Sequence, residues 1–189
     1  MAERCMKVKG TGVMATKGFV KEKFPDRFDE WLDALPPESR EIHGGTILAT
    51  QSYLIYDALV VPTEKLCELF YNGDEYGAWI AGIHSAGFAL NSFYKVFFKV
   101  GSPQFIIKRA SSVFSSYYPD GEMHVADTSD RQVVLQVTKF SEPHYIIELG
   151  IGGWMEGALE LMGCRNISVD MTKSMANGDS LTEFVAKWE

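Results

Sequence analysis

The four histidines of this chain are the residues best suited to hold a metal or move a proton, and they occur singly. His43, His84, His124 and His144 lie far apart, and no His-x-x-x-His or Glu-x-x-His pair is present. His84 lies in a long apolar stretch that predicts a buried helix, where an imidazole can ligate haem or a metal ion. The simpler interpretation, which the sequence favours, is a core histidine hydrogen-bonded to backbone.

The cysteines indicate neither a disulfide framework nor a zinc site. Cys5, Cys67 and Cys164 are odd in number and widely spaced, as expected for a protein of a reducing compartment such as the cytoplasm. Cys67 is surrounded by leucine and phenylalanine, which is typical of a packed, inert thiol. No nucleophile, base and orienting group occur in a recognisable pattern, so we expect a protein without a catalytic site.

Two glycine-rich runs, over residues 10–15 and 150–157, match phosphate-binding loops only loosely. Met155 occupies a position where the dinucleotide fingerprint requires glycine, and neither run lies in a βαβ unit. Each glycine costs roughly 1 kcal/mol in a helix interior. The glycines of 150–157 therefore predict close packing of a helix on the sheet.

The helix predicted over 143–162 has acidic and apolar positions. Glu148, Glu156 and Glu160 are most simply interpreted as a solvated stripe. The apolar positions form a broad surface: Ile146, Ile147, Leu149, Ile151, Trp154, Met155, Leu159 and Met162. Any part of this surface that the chain leaves uncovered would border a pocket or a dimer interface.

The elements that position these residues follow from hydrophobic periodicity. Apolar residues at helical spacing predict helices over 16–23, 26–35, 64–70 and 75–100, and another that starts at Ser102, with Thr63 capping the third. Alternating residues predict strands over 122–126, 132–140, 166–173 and 181–188, around the 143–162 helix. The predicted fold class is α+β in one domain (1–189). A mainly helical part (1–120) precedes a ββαββ module (121–189) with a four-stranded antiparallel sheet.

Composition narrows the possible partners. The net charge of −7 argues against nucleic-acid binding, which needs a basic face. Basic residues crowd the first 27 positions, where they either contact an acidic partner or membrane surface or form a solvated terminus. The longest apolar stretch is interrupted by His84, Asn91 and Lys95, so no membrane span is expected, and no signal peptide is predicted.

The chain resembles an uncharacterised bacterial family, of the kind expanded in myxobacteria, along most of its length. The matching segments are Val8-Lys9-Gly10, Phe24 with Trp31-Leu32 and Leu35-Pro36, Ser102-Pro103-Gln104, Tyr117–Gly121, Gly153–Glu160, Asn177-Gly178-Asp179, Glu183-Phe184 and Lys187-Trp188. That family is similar to a superfamily of haem-nitric-oxide-binding domains, 4-vinyl-reductase-type domains and small subunits of the TRAPP transport complex. The resemblance implies N-terminal helices and a C-terminal four-stranded sheet, with a ligand-binding or dimerising role.

Two departures from that superfamily limit the chemistry. The 4-vinyl-reductase-type domains have cysteines four residues before and after the glycine of a Gly-Asp pair; around Gly178 these positions are Ser174 and Thr182. The haem members carry Tyr-x-Ser-x-Arg, but the nearest stretch, residues 115–121, has no arginine at the required place. His84 would be the nearest candidate for a haem ligand, and we expect no haem or other cofactor.

These observations predict a non-catalytic sensory domain of a signalling protein. It would hold a small hydrophobic molecule in a pocket between the helices and the sheet. The expected lining residues are Trp79, Ile83, His84, Phe88, Tyr94, Trp154 and Met155. The same residues could simply fill a core. The alternative is a homodimeric interaction module without ligand, with Phe28 and Trp31, or Phe93 and Phe97, in the interface.

Overall fold

A computed structural model describes residues 5–92 and 103–189 of the chain. The first part contains strand β1 (Lys7–Lys9), helices α1 (Gly10–Lys23), α2 (Phe28–Ala34) and α3 (Pro37–Gly44), strand β2 (Ser52–Leu54), and helices α4 (Val61–Phe70) and α5 (Tyr76–Ser92). The second contains helices α6 (Pro103–Ile107) and α7 (Ala110–Tyr117), strands β3 (Glu122–Thr128) and β4 (Gln132–Lys139), helix α8 (Tyr145–Leu161), and strands β5 (Ser168–Lys173) and β6 (Thr182–Lys187). Short 3-10 turns precede α2 and follow β5, and a π-helical turn, Tyr56–Val60, leads into α4.

The antiparallel sheet has the order β3-β4-β6-β5, which confirms the predicted α+β fold with a C-terminal ββαββ module. Every neighbouring pair is antiparallel, and Leu135 of β4 lies opposite Phe184 of β6. Alternate residues, among them Val133, Leu135 and Val137, are buried on one face. Strand alternation therefore turns one face of the sheet toward α8, as a half-buried sheet requires.

The beginning of the chain is more ordered than its basic composition predicts. Strand β1 pairs with β2, and α1 starts at Gly10 rather than near residue 16, because the Gly10 N–H donates to the carbonyl of Gln51. Lys9 and Lys17 donate to the backbone carbonyls of Thr50 and Gly45. Part of the basic cluster therefore stabilises the fold.

Two other predicted boundaries were wrong. Thr63 does not cap α4 but lies within its first turn, because the π-helical turn carries the chain into Val61 and proline occupies the same turn. The helix predicted from Ser102 onward is two helices in the described part, α6 and α7. They are separated at Lys108 and Arg109.

Helices α5 and α8 pack face to face along most of their length. A β-carbon at Gly82 would overlap the carbonyl oxygen of Gly150, and one at Gly157 would lie 2.7 Å from the carbonyl oxygen of Ile83. The glycine run of α8 was predicted to pack on the sheet, but it mainly packs on α5. Gly152 alone contacts both sides, because an added β-carbon would meet the rings of Trp79 and Phe184.

Two hydrophobic clusters form the core. One lies among the helices around Phe19, Trp31 and Leu66, and the larger one lies between α8, α7 and the sheet. Trp31 is fully buried and its Nε1–H donates to the carbonyl of Pro62 at 3.0 Å. It cannot serve in a dimer interface as expected, since packing inside the monomer already covers it. Phe93 and Phe97, the other expected interface pair, lie outside the described residues.

Within the described ranges, no helix combines the length and apolar character needed to cross a membrane.

Candidate functional site

An apolar cavity of about 140 Å³, open on part of its boundary, lies where the two core clusters meet. Its wall is formed by the helices α1 and α4–α8, the π-helical turn, and the buried face of the sheet. The lining residues in α1, the π-helical turn, α4 and α5 are Gly12, Thr16, Leu59, Thr63, Ala78, Ala81, Gly82 and Ser85. Those in α6, α7 and the turn to β3 are Pro103, Ile107, Ala110, Val113, Phe114, Tyr117 and Tyr118. Those in the sheet and α8 are Met123, Val133, Leu135, Ala186, Ile146, Ile147, Gly150, Ile151, Trp154, Met155, Ala158, Leu159 and Met162.

The cavity wall contains no charged side chain among the described residues. The lining residues with a polar side-chain atom are Thr16, Thr63, Ser85, Tyr117, Tyr118 and Trp154. Burial strongly raises the pKa of Tyr118, so its phenol stays protonated. Such a lining suits an uncharged occupant, because an ion placed here would lose its hydration without gaining a counter-charge.

Trp154 lies at the helical side of the cavity. Its Nε1–H is buried and has no hydrogen-bond partner among the described residues. The ring of Tyr117 meets the indole edge to face, with the centroids 6.2 Å apart. A buried donor that lacks an acceptor is rare in folded proteins, because it loses its hydrogen bond to water on folding.

The residues predicted to line a pocket fall into two groups. Trp154 and Met155 border the cavity. Trp79 and Ile83 lie in the α5–α8 contact instead: the Trp79 Nε1–H donates to Glu156 at 2.6 Å, and Ile83 packs on Gly157. Phe88 and His84 are also not among the lining residues, and Tyr94 lies outside the described part of the chain.

His84 is directed toward α1, away from the cavity wall. Its Nε2 lies 2.9 Å from Oε2 of Glu22, and its ring contacts Phe19 edge to face at 5.2 Å. The hydrogen bond from His84 is the largest influence that lowers the pKa of the Glu22 carboxyl. This histidine therefore links α5 to α1.

The other titratable side chains that could take part in chemistry also lie apart from one another. His43 is fully buried, and its Nε2–H donates to the carbonyl of Ala58 at 3.0 Å, while burial lowers its pKa to about 4. Burial raises the pKa of the Cys67 thiol to about 11. Among the described residues, no three His, Cys, Asp or Glu side chains are placed to hold a metal ion.

The sequence did not predict the environment of Glu148. The carboxylate was interpreted as part of a solvated stripe, but it is buried and accepts hydrogen bonds from the hydroxyls of Ser174 and Thr182 and from the Ala176 N–H. Ser174 and Thr182 are the positions where the 4-vinyl-reductase-type domains have cysteines. Three donors converging on one carboxylate fix the β5–β6 connection against α8.

Comparison with solved structures shows that the chain has the fold of H-NOX proteins. An H-NOX protein from S. oneidensis in its Fe(II)NO state aligns over 96% of this chain and 99% of its own, with 13% identity and a TM-score of 0.74. The H-NOX domain from Shewanella oneidensis in its Fe(II)CO state aligns over 96% and 98%, with 13% identity and a TM-score of 0.72. The unliganded Fe(II) H-NOX protein from K. algicida aligns over 96% of both chains, with 12% identity and a TM-score of 0.67.

No protein-family model and no curated protein sequence matches the chain. The expected membership of a bacterial family therefore stays a prediction.

The described residues around the cavity do not fit a haem. No histidine, cysteine, arginine or lysine lines it, so the usual proximal ligands and the cations that would pair with propionates are missing from the described wall. The volume of about 140 Å³ also falls below the roughly 300–1,000 Å³ of pockets that enclose drug-sized ligands.

Proposed function

We propose that this protein is a non-catalytic sensory domain that binds a small hydrophobic molecule in the cavity between its helices and its sheet. The observation that carries the proposal is the apolar cavity itself, whose described wall has no charged side chain. Protein cores are normally packed as densely as organic crystals. A cavity of this size is therefore a region that the protein's own side chains leave unfilled. The H-NOX structures with the same fold, which were solved with NO or CO at iron, support a role in binding small molecules.

The wall keeps this space open through small side chains. Ala78, Ala81 and Gly82 of α5 and Gly150 and Ala158 of α8 all border the cavity. A cavity of roughly 150 Å³ lined by apolar side chains binds benzene or xenon in another protein. The expected ligand is therefore about the size of one substituted ring.

Helix α8 can transmit a conformational change from the cavity to the β5–β6 connection. Trp154 and Met155 in its middle border the cavity, while Glu148 in its first turn holds the β5–β6 connection through Ser174 and Thr182. A ligand that displaces α8 would strain these hydrogen bonds, so the connection is the expected output of the sensor.

Native mass spectrometry of the purified protein, together with titrations of toluene and xenon, tests the proposal. We expect a co-purifying small molecule or saturable binding of at least one of the two probes. The variant Ala158→Leu fills the cavity and should weaken toluene binding at least about tenfold, since steric exclusion removes the contacts of the ring. Gly87→Leu is the matched control, because an added β-carbon at position 87 meets no atom of the described residues within 4 Å.

The proposal fails if the folded protein carries no small molecule and binds neither toluene nor xenon. It also fails if Ala158→Leu and Gly87→Leu bind toluene equally well.

A further inference from the structure

The π-helical turn, Tyr56–Val60, leads into α4 at the point where this helix borders the cavity. Its wide register is evident at the end of the turn, where the N–H of Val61 donates to the carbonyl of Tyr56, five residues earlier. Leu59 in the turn and Thr63 just after it both line the cavity. Single π-helical turns occur frequently at functional sites, and this one forms part of the wall of the candidate site.

Pro62 explains why the turn is wide. In a regular α-helix the N–H of residue 62 would donate to the carbonyl of Ala58, but proline has no N–H, and its ring would clash with that carbonyl. Widening the backbone by one residue relieves the clash. Ala58 is fully buried, so its carbonyl must find its hydrogen bonds within the protein.

His43 of α3 donates a hydrogen bond to this carbonyl. Its Nε2 lies 3.0 Å from the Ala58 oxygen, and because a carbonyl only accepts, Nε2 carries the proton of the neutral imidazole. Trp31 of α2 packs edge to face on the imidazole at 5.0 Å, and its Nε1–H donates to the carbonyl of Pro62. Two fully buried side chains outside the cavity wall therefore hold the backbone on both sides of the wide turn.

On these grounds, and resting on the ligand-binding function proposed above, we infer that His43 is a positioning residue of the ligand site. Its hydrogen bond to Ala58 fixes the π-helical turn and thereby holds Leu59 at the cavity wall, although His43 itself does not line the cavity. A wall that is fixed before the ligand arrives costs less to order on binding. Removing the bond therefore lowers the affinity for a ring-sized ligand even in a protein that stays folded.

Calorimetric titration of toluene against the wild type, His43→Leu and His43→Gln tests this inference. Leucine is close to histidine in volume but has no donor, whereas the amide of glutamine can still donate to Ala58. We expect His43→Leu to weaken toluene binding about 3- to 10-fold, since the loss of one buried hydrogen bond loosens the wall. His43→Gln should bind toluene within about 2-fold of the wild type.

Val20→Ala is the matched control for a general loss of stability. Val20 is fully buried in the same cluster as Trp31 and does not line the cavity. Its truncation destabilises the core without removing a hydrogen bond of the π-helical turn. At a temperature where every variant is fully folded, Val20→Ala should therefore bind toluene within about 2-fold of the wild type.

A second measurement uses the wild-type protein alone. NMR of the 15N-labelled imidazoles identifies which ring nitrogen carries the proton, and the spectrum of His43→Gln assigns the signals of His43. We expect the Nε2–H tautomer for His43. Saturating toluene should shift its Nε2 signal, because Leu59 adjoins Ala58, and should leave the exposed His124 unshifted.

The outcomes separate the role of His43 from the ligand-binding function. Toluene affinity in His43→Leu equal to that of the wild type, or an equal loss in His43→Gln or Val20→Ala, would overturn the positioning role. An Nδ1–H tautomer, or an unshifted His43 signal with toluene bound, would overturn it as well, and these two observations decide if His43→Leu does not fold. In each case toluene bound to the wild type leaves the ligand-binding function standing, whereas a wild type that binds neither toluene nor xenon removes both.

Discussion

Gly153 of α8 packs directly against the backbone carbonyl oxygen of Trp79 in α5, so closely that a β-carbon at position 153 would overlap that oxygen. Gly82 and Gly157 make similar approaches along the same interface. The two helices therefore lie backbone against backbone over this stretch. The same contact borders the cavity, because Gly82 and Gly150 belong to both.

Gly153→Ala should lower the free energy of unfolding by about 1–3 kcal/mol, since the methyl group forces α5 and α8 apart. Gly150→Ala is the matched control in the same helix, because its β-carbon would meet only the Ala78 carbonyl oxygen at 3.8 Å. That substitution should stabilise the protein by up to about 1 kcal/mol through helix propensity. Urea denaturation of both variants measures the difference, and equal effects would contradict the close approach.

Glu148→Leu should destabilise the fold by on the order of 3 kcal/mol, because it leaves the Ser174 and Thr182 hydroxyls and the Ala176 N–H without their buried acceptor. Glu160→Leu, at an exposed position of the same helix, should change stability by less than about 0.5 kcal/mol. Thermal and urea unfolding provide the comparison. A Glu148→Leu variant as stable as Glu160→Leu would show that the carboxylate does not hold the connection.

His43 should make the protein sensitive to acid. Burial lowers the pKa of His43 in the folded protein to about 4, from the ordinary value of 6.5. Below pH 6.5 the imidazole therefore binds a proton in the unfolded chain but stays neutral in the folded protein until the pH approaches 4. The contribution of His43 to the free energy of unfolding is therefore fully present above pH 6.5, and it falls by on the order of 3 kcal/mol as the pH decreases toward 4.

The His43→Gln variant isolates this contribution, because its amide can still donate to Ala58 but does not titrate. Unfolding free energies at pH 7, 5.5 and 4 should fall less steeply in His43→Gln than in the wild type. His124→Gln, at an exposed site, is the control. Parallel pH profiles for the wild type and His43→Gln would contradict the assignment.

Cys67 should resist alkylation in the native protein. Its raised pKa of about 11, against an ordinary value of 9.0, lowers the thiolate fraction about 100-fold near pH 8, and burial blocks the reagent as well. Cys5 is exposed and should react with iodoacetamide first. Peptide mass spectrometry of native and urea-unfolded samples reports each site, and rapid native labelling of Cys67 would contradict its packing.

Ligand binding should alter the β5–β6 connection at a distance from the cavity. Hydrogen exchange in the peptide that spans residues 174–182 should change when toluene saturates the protein, because α8 borders the cavity and anchors this connection through Glu148. Helix α3, which does not border the cavity, serves as the internal reference. Unchanged exchange in 174–182 with toluene bound would separate binding from the proposed output.

Local sequence patterns predicted the C-terminal module closely. The strands and the helix between them were expected within about two residues of their observed ends, because alternation and helical periodicity are properties of neighbouring residues. The same patterns also indicated that Cys67 is packed and that the glycines of α8 serve close approach.

Tertiary structure alone decided which surface each pattern meets. The glycines of α8 contact mainly α5 rather than the sheet. Trp79 does not line the predicted pocket but donates to Glu156, 77 positions away. Glu148 is not solvated but accepts hydrogen bonds from the hydroxyls of Ser174 and Thr182. Periodicity indicates which helix face carries apolar or small residues. It does not indicate how that helix is rotated against a partner that is distant in the chain. The cavity is the clearest case, because it depends on where six helices and three strands fail to fill the space between them.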